Sequence, residues 1–226
     1  MFNSFKRLRI VLAAILLLVT LVGCASVVTD KDLAGNSLRI EIDIAGSLEV
    51  MARYYCVFAY DSEPQFPDVN LQPYLIGPGE TYQQEIIDIG DSQGDIGYFY
   101  ENYFNTWDDF VVLEGTSFFI TQGPFPATAN ETVHYSFQKA ALTINQAVTS
   151  NKIVLTCEFS NLNKGHDVDR IYFNIFTTDP SRYCKDMLDI SGSISNVVGA
   201  VQSGTDPEDT SIGSALDICE WRISIE

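Results

Sequence analysis

The sequence is poor in the residues that most catalytic and metal sites require. It contains only two histidines, His134 and His166, and no CxxC pair, so a zinc site of the usual type is not expected. No GxSxG, HExxH or phosphate-binding glycine loop is present. Asp108 and Asp109 are adjacent, but neighbours on a strand point to opposite faces, so they are not expected to share a substrate. We therefore expect a protein that is not an enzyme.

Basic residues are scarce as well. The chain has 13 Lys and Arg against 30 Asp and Glu, which gives a net charge of −17 at pH 7. Such a surface argues against nucleic acid as a partner, because phosphates attract Lys and Arg, and against electrostatic adhesion to anionic lipid. The acidity either attracts divalent cations or serves only to keep the protein soluble.

Beyond the N-terminus, no apolar run is long enough to span a membrane. At the N-terminus, Lys6, Arg7 and Arg9 precede an apolar stretch over residues 10–23, which is the pattern of an export signal. The alternative is an uncleaved transmembrane helix, because the 19 residues 10–28 would just span a bilayer.

The end of this apolar stretch carries a second signal. The segment Leu21-Val22-Gly23-Cys24 resembles the lipobox of bacterial lipoproteins: Leu, a small or branched residue, Gly or Ala, then Cys. The resemblance implies that residues 1–23 are a lipoprotein signal peptide and that Cys24 carries a diacylglycerol, with fatty acids such as palmitate. Two or more acyl chains hold a protein stably at a membrane. The implied location is the bacterial cell envelope, facing outside the cytoplasm.

The residue after the cysteine bears on which membrane holds the anchor. In a two-membrane bacterium, Ala25 resembles the signal for sorting to the outer membrane. Removal of residues 1–23 would take away three basic and no acidic residues, so the remaining 203 residues would carry a charge of −20. We interpret residues 24–36 as the lipidated N-terminus and a tether, and residues 37–226 as a single domain.

The pattern along residues 37–226 is that of strands separated by regular turn signals. Residues 38–44 alternate, with leucine and isoleucines on one face and charged residues on the other, as in a half-buried strand. Residues 48–60 are apolar on both faces in their second half, which is typical of a central strand. Residues 181–188 are expected to form one or two helical turns.

These patterns predict ten or eleven strands and an all-β fold. The expected architecture is an antiparallel two-sheet β-sandwich, immunoglobulin-like or jelly-roll, after the N-terminal signal helix. A closed barrel is the alternative.

Four cysteines follow the lipobox: Cys56, Cys157, Cys184 and Cys219. An exported protein can form disulfides, and four cysteines allow three pairings, among which the sequence does not choose. Alternation in the surrounding strands places Cys157 and Cys219 on apolar faces, which is typical of small core residues. Disulfides and buried thiols both remain open at this point.

An aromatic cluster is the main candidate for a ligand site, and it contains Tyr98, Tyr100, Tyr103 and Trp107. Sugar recognition uses flat aromatic rings against the apolar faces of sugars. The alternative is core packing, since aromatic side chains dominate protein cores. Trp107 follows a predicted break, so we expect it to be exposed beside a loop, where binding residues tend to lie.

Two acidic loops are weaker candidates for a cation. Asp88, Asp91 and Asp95 surround the predicted loop at residues 90–95, and residues 206–209 contain three further acids. Calcium takes six to eight oxygen ligands, often carboxylates and loop carbonyls, so a structural calcium ion at Asp88, Asp91 and Asp95 is one interpretation. Ordinary solvated turns are the other. No further cofactor is expected.

The order of the strands suggests a family. NKIVLTCEFSNL is followed by RIYFNIFTTD, an acidic loop and a final strand, ALDICEWRISI, and the earlier strand RYYCVFAYDSEP ends near an aspartate. This order resembles the DOMON-like β-sandwiches, the superfamily that includes family 9 carbohydrate-binding modules. The resemblance covers about two thirds of the chain after Cys24. It implies a sandwich that binds sugar.

Other branches of that superfamily bind haem through Met or His ligands. The spacing of Met51, His134 and His166 does not mark such a site, so haem is not expected. The sequence therefore predicts a lipid-anchored, non-catalytic binding protein, with a glycan as the leading ligand. The alternative is a structural or assembly component of the envelope that binds another protein.

Overall fold

The computed structural model describes residues 35–66, 103–115, 117–123, 140–141, 151–164 and 167–226. They belong to the unit Ala34–Glu226. Within these ranges no helix is long and apolar enough to cross a membrane. Several predictions concern residues outside the described ranges: the lipobox with Cys24, the aromatic residues Tyr98 and Tyr100, and the calcium candidates Asp88, Asp91 and Asp95.

The described residues form eleven β-strands and no α-helix, which confirms the all-β prediction. The strands are β1 Ser37–Ile44, β2 Arg53–Ala59, β3 Asp109–Glu114, β4 Ser117–Gln122, β5 Ala140–Ala141, β6 Lys152–Glu158, β7 Arg170–Thr178, β8 Cys184–Met187, β9 Gly192–Ser195, β10 Val201–Thr205 and β11 Ile218–Ile225. A four-stranded sheet has the order β10-β11-β1-β6, and a seven-stranded sheet has the order β5-β4-β3-β2-β7-β8, with β9 also paired to β7. Within the described ranges the strand pairs are antiparallel, and the two sheets pack together as the predicted sandwich.

The core between the sheets follows from strand alternation. In β1 every second residue is buried, from Leu38 to Ile44, as the sequence predicts. Strand β2 supplies Tyr54, Cys56 and Phe58 to the same core cluster. A void of only about 10 Å³ remains among these side chains, at the lower limit for one water molecule, so the core is closely packed.

The outer face of the seven-stranded sheet is buried as well. All seven residues of β2 are buried, which confirms that it is a central strand. On its outer face the Tyr55 ring stacks on Phe176 with centroids 4.6 Å apart and lies 5.8 Å from Phe110. The strand begins only at Arg53, because residues 49–51 before it form an exposed turn; Met51 is 70% exposed.

Two local predictions are wrong. Helical turns were expected at residues 181–188, but Cys184–Met187 form strand β8, with Cys184 opposite Thr178 and Met187 opposite Phe176. Pairing with the edge of β7 thus overrides the weak local preference. Cys219 was expected in the core, but it is only half-buried, because the register shifts near Ile44 and places Ile218 opposite Ile44.

The sandwich has two ends that the strand directions define. At the tether end, β1 begins and β11 finishes, and the backbone N–H of Asn36 donates to the carbonyl of Glu226 at 2.8 Å. At the far end, β1 finishes and residues 206–217 lead into β11. There the Tyr54 hydroxyl donates to the carbonyl of Ala215 at 2.8 Å, which links the two sheets. A chain that arrives from Cys24 therefore enters the fold at the tether end.

Candidate functional site

Trp107 is a buried residue and not an exposed one, so the prediction of its exposure is wrong. Its side chain is 3% exposed, and its ring lies 5.1 Å from Phe66 and 5.8 Å from Phe176. Its Nε1–H donates to the carbonyl of Gln65 at 3.1 Å. Trp107 follows a turn, as expected, but the indole folds back onto the outer face of the seven-stranded sheet. It therefore contributes to packing.

Tyr103 lies one turn earlier and is half-buried. Its carbonyl accepts hydrogen bonds from the backbone N–H of Thr106 at 2.9 Å and from the Thr106 hydroxyl at 2.6 Å, which closes the short 3-10 helix Phe104–Thr106. A ligand-binding role for Tyr98, Tyr100 and Tyr103 stays a prediction.

An acidic cleft of about 520 Å³ lies at the far end of the sandwich. One wall is formed by β8 and the residues that follow it, and the other by the loop after β10. Five acidic residues line it: Asp186, Asp189, Asp206, Glu208 and Asp209. Lys185 also lines the cleft, but its ammonium group pairs with Asp179 at 3.1 Å. We take this cleft as the candidate functional site.

Asp186 is the anchored residue of the cleft. Its Oδ1 accepts the backbone N–H of Met187 at 2.8 Å, and its Oδ2 accepts that of Ile218 at 2.6 Å, so it connects β8 to the start of β11. Burial raises the pKa of Asp186 to about 6; the two backbone hydrogen bonds act against this rise, and the charges of Asp206 and Asp217 add to it. The carboxyl group is therefore close to half ionised near pH 6.

The opposite wall carries carboxyl groups of two kinds. Burial raises the pKa of Asp206, and the charges of Asp189 and Asp217 add to this effect. Hydrogen bonds from Ser211 lower the pKa of Asp209, whose Oδ1 accepts the Ser211 backbone N–H at 2.7 Å. Neighbouring acids thus raise the pKa of both Asp186 and Asp206. The negative charge of the cleft is therefore not balanced by basic groups around it within the described ranges.

Asp217 lies behind this loop wall. It is 1% exposed, and its Oδ1 accepts the backbone N–H of Asp209 at 3.3 Å. Its Oδ2 is buried and has no hydrogen-bond partner within the described ranges. A buried carboxyl oxygen without a hydrogen-bond partner is costly in a folded protein.

The carboxylates of the cleft do not converge on one point. Among the described residues, no group of three or more His, Cys, Asp or Glu side chains is placed so that it could hold a metal ion. The calcium candidates Asp88, Asp91 and Asp95 lie outside those residues and stay a prediction.

A second buried acid, Asp109, lies at the tether end and is 0% exposed. Its Oδ2 accepts hydrogen bonds from the Tyr60 hydroxyl and from the backbone N–H of Asn163, the latter at 2.8 Å. Burial raises the pKa of Asp109 to about 7, with a smaller contribution from the charge of Asp108. Asp108 precedes the strand, and its Oδ2 accepts the backbone N–H of Tyr60 at 2.9 Å, whereas Asp109 binds the hydroxyl at the other end of the same residue.

All four described cysteines are free thiols. Cys157 is buried in the core, as predicted, and burial raises its pKa. Cys56 and Cys184 are buried too, and burial raises the pKa of each. These three thiols therefore serve as small core residues.

Sequence reasoning found only one wall of the cleft. It singled out the acids of residues 206–209, but it missed Asp186 and Asp189 of the other wall and the buried Asp217 behind the loop. No alternation marks Asp186 in the sequence, because residues 184–187 run apolar, polar, polar, apolar. Asp217 lies directly before the final strand, at the end of a polar loop. A single acid at that position does not stand out in the sequence.

The chain was compared with known proteins at the level of families, curated proteins and solved structures. No protein-family model matches it, and no curated protein or solved structure is significantly similar to it. The resemblances to lipoproteins and to DOMON-like sandwiches thus stay predictions from sequence.

Proposed function

We propose that this chain is a lipid-anchored, non-catalytic binding protein of the bacterial cell envelope that faces outside the cytoplasm and receives its ligand in the acidic cleft. The observation that carries the proposal is the placement of the cleft. It lies at the far end of the sandwich, whereas a chain attached through Cys24 enters the fold at the tether end.

This placement suits a membrane-attached binding protein. Residues 24–34 would reach at most about 40 Å if fully extended, so the domain would stay near the bilayer. The five acids of the cleft would be repelled by anionic lipid headgroups, which favours an orientation with the far end pointing away. The cleft would then open toward the surroundings of the cell.

The ligand class follows from the cleft and not from the aromatic cluster. Burial of Trp107 removes the residue around which a flat sugar platform was predicted. Carboxylates bind the hydroxyls of sugars as well as cationic groups, so a glycan in the acidic cleft is compatible with the proposal. The binding site nevertheless differs from the one that the sequence suggested.

The alternative, an envelope assembly component that binds another protein, is favoured by strand β10. It is the last strand of the four-stranded sheet in the described part, its five residues are uncharged, and Val201 is 46% exposed. An exposed, neutral edge strand is the usual point at which a second chain adds to a sheet.

The test of anchoring is Cys24→Ser in the full chain, expressed in a bacterium. We expect the variant to keep residues 1–23 or to be released, while the unchanged protein fractionates with membranes and begins at an acylated Cys24 by mass spectrometry. Cys219→Ser is the matched control, since Cys219 lies far from the N-terminus, and it should fractionate as the unchanged protein does. Processing after Gly23 and membrane attachment in Cys24→Ser would contradict the anchor.

A further inference from the structure

We infer that strand β10 binds an extended segment of another protein, which adds to the four-stranded sheet as a new edge strand and carries a net positive charge and an apolar side chain opposite Gly204. The inference goes beyond the cleft and deepens the alternative in the proposed function, in which the chain binds a protein. It rests on the backbone of β10, on the indole of Trp221 and on the charges around them.

The first observation is that the outward backbone groups of β10 are open. Beside the end of the strand, the N–H of Asp206 donates to the carbonyl of Cys219 at 2.8 Å, so even-numbered residues bond to β11. By antiparallel alternation, Val201, Ser203 and Thr205 direct their N–H and C=O groups away from β11. Among the described residues, no other strand pairs with these outward groups.

The second observation is that β10 lacks the protection found on other edge strands. Strand β8 carries Lys185 and Asp186 and pairs with β7 through a register shift, and β6 begins with Lys152 and ends with Glu158. Charges and bulges of this kind block pairing with a further strand. Strand β10 has no charge and no proline, it pairs with β11 without a shift, and four of its five residues are exposed.

The third observation is an aromatic contact beside this edge. Gly204 lies opposite Trp221 of β11, and a Cβ atom at Gly204 would lie 2.8 Å from the indole. The ring therefore lies over the glycine, and it also contacts Phe173 with centroids 5.3 Å apart. Because Trp221 is only half-buried, a side chain opposite Gly204 in an added strand would pack against the ring. We therefore expect an apolar residue at that position of the partner.

The fourth observation indicates the charge of the partner. Asp206 and Glu208 follow the strand, and Glu220 lies opposite its last residue. Arg222, opposite Ser203, offsets one of these three charges. The whole chain has a net charge of −17. A basic segment is therefore attracted to this edge, whereas an acidic segment is repelled.

A second copy of this chain is the less suitable occupant. Two β10 strands related by a two-fold axis would pair antiparallel, so the two tether ends would lie at opposite ends of the dimer. Lipid anchors in one membrane need both tether ends on the same side, which this pairing does not provide. The two copies also carry the same negative charge and repel each other.

The experiment measures binding of a labelled synthetic peptide, Lys-Thr-Phe-Thr-Val-Thr-Lys with blocked ends, to the full-length protein in a neutral detergent by fluorescence anisotropy. In antiparallel pairing its phenylalanine lies opposite Gly204 and its central threonine opposite Ser203. Ser203→Pro removes one outward N–H, and an edge strand tolerates proline there because this N–H does not bond to β11. The matched control Ser203→Thr keeps the N–H. We expect about a tenfold loss of affinity in the first variant and less than about a twofold loss in the second.

Modified peptides give a second readout that does not depend on how a variant folds. N-methylation of the central threonine removes a donor that faces β10, whereas N-methylation of the valine removes one that faces away. We expect about a tenfold loss of affinity for the first peptide only. Equal losses for the two methylated peptides, or for the two Ser203 variants, would overturn the inference.

Two further peptides test the chemistry of the partner. Serine in place of the phenylalanine should weaken binding, because the contact with Trp221 is lost. Glutamates in place of both lysines should weaken binding at low ionic strength and much less in about 1 M salt, where charges are screened. Unchanged affinity for both peptides would overturn the assignment of an apolar, basic segment.

Analytical ultracentrifugation of the same samples identifies the other occupant. A wild-type dimer that Ser203→Pro dissociates, without binding of the peptide, would overturn the inference in favour of a second copy. Wild type that is monomeric and does not bind the peptide would overturn it as well. The lipid anchor is tested separately by Cys24→Ser, so its failure and the failure of this inference are distinguishable.

Discussion

The two ends of the sandwich each bury a carboxyl group, but they use it differently. At the tether end Asp109 is fully enclosed, and its carboxyl group binds the Tyr60 hydroxyl and a backbone N–H. At the far end Asp186 is partly enclosed and lines a cleft with four other acids. A fully buried acid affects the stability of the fold. An acid that lines a cleft also affects the binding of a ligand in that cleft.

Neighbouring cations sharpen this difference. Near the tether end, the Lys164 ammonium group lies 3.0 Å from Asp61 and 3.7 Å from Asp108, so a positive charge is present beside the acids. At the far end, the corresponding cation, Lys185, pairs with Asp179. The first arrangement is locally balanced and the second is not, which is why we assign binding to the far end.

The largest expected effect is at the tether end. Trp107→Ala should lower the free energy of unfolding by roughly 3–5 kcal/mol, because it removes a buried ring and leaves a cavity. Chemical denaturation of the full chain measures it, with Tyr183→Ala as the control, since Tyr183 is 41% exposed. A Trp107→Ala protein as stable as the Tyr183→Ala protein would show that the indole is not part of a packed layer.

The next effect is a pH dependence of stability from Asp109. The pKa of Asp109 is raised from 3.8 to about 7, so between these values the native state holds more protons than the unfolded state. Stability therefore falls as the pH rises from about 4 to 7, by roughly 2–4 kcal/mol.

Denaturation curves across this pH range test Asp109→Asn, which should remove the slope, against the control Asp167→Asn, which removes an exposed charge near the same end and should keep it. If Asp109→Asn and Asp167→Asn give the same pH profile, the buried carboxyl group is not the source of the pH dependence.

The smallest effect concerns repulsion within the cleft. Asp206→Asn should raise the free energy of unfolding by about 0.5 kcal/mol or less, since it relieves repulsion by Asp189 and Asp217 at a partly exposed site. The gain should vanish in about 1 M salt, where charges are screened over roughly 3 Å. Thermal unfolding at low and high salt measures this, and a gain that persists in high salt would point to packing instead.

Much of the fold could be predicted because strand alternation is a local property. Strand β7 occupies residues 170–178 and β11 occupies residues 218–225, within the stretches RIYFNIFTTD and ALDICEWRISI that the sequence marks as strands. The edge strand β8 was missed because its stability comes from pairing with β7 and not from its own four residues. Trp107 was misplaced because the sequence does not show that the outer face of the sheet is covered.

The candidate site was harder to predict because it joins distant segments. The acids of residues 206–209 are conspicuous in sequence, but the opposite wall depends on where β8 pairs. Once residues 181–188 were interpreted as helical turns, nothing placed Asp186 or Asp189 beside them. A prediction of cleft residues thus depends on an edge strand, which is the element that local patterns specify least.

The position of β1 in its sheet has a consequence for the rate of folding. It lies between β11 and β6, so Leu38 pairs with Ile225 on one side, 187 residues further along, and with Cys157 on the other. Contacts between such distant positions slow folding, because the intervening chain must be ordered first. The four-stranded sheet cannot form until β11 has been synthesised and has paired with β1. Until then the apolar face of β1 is exposed and can aggregate.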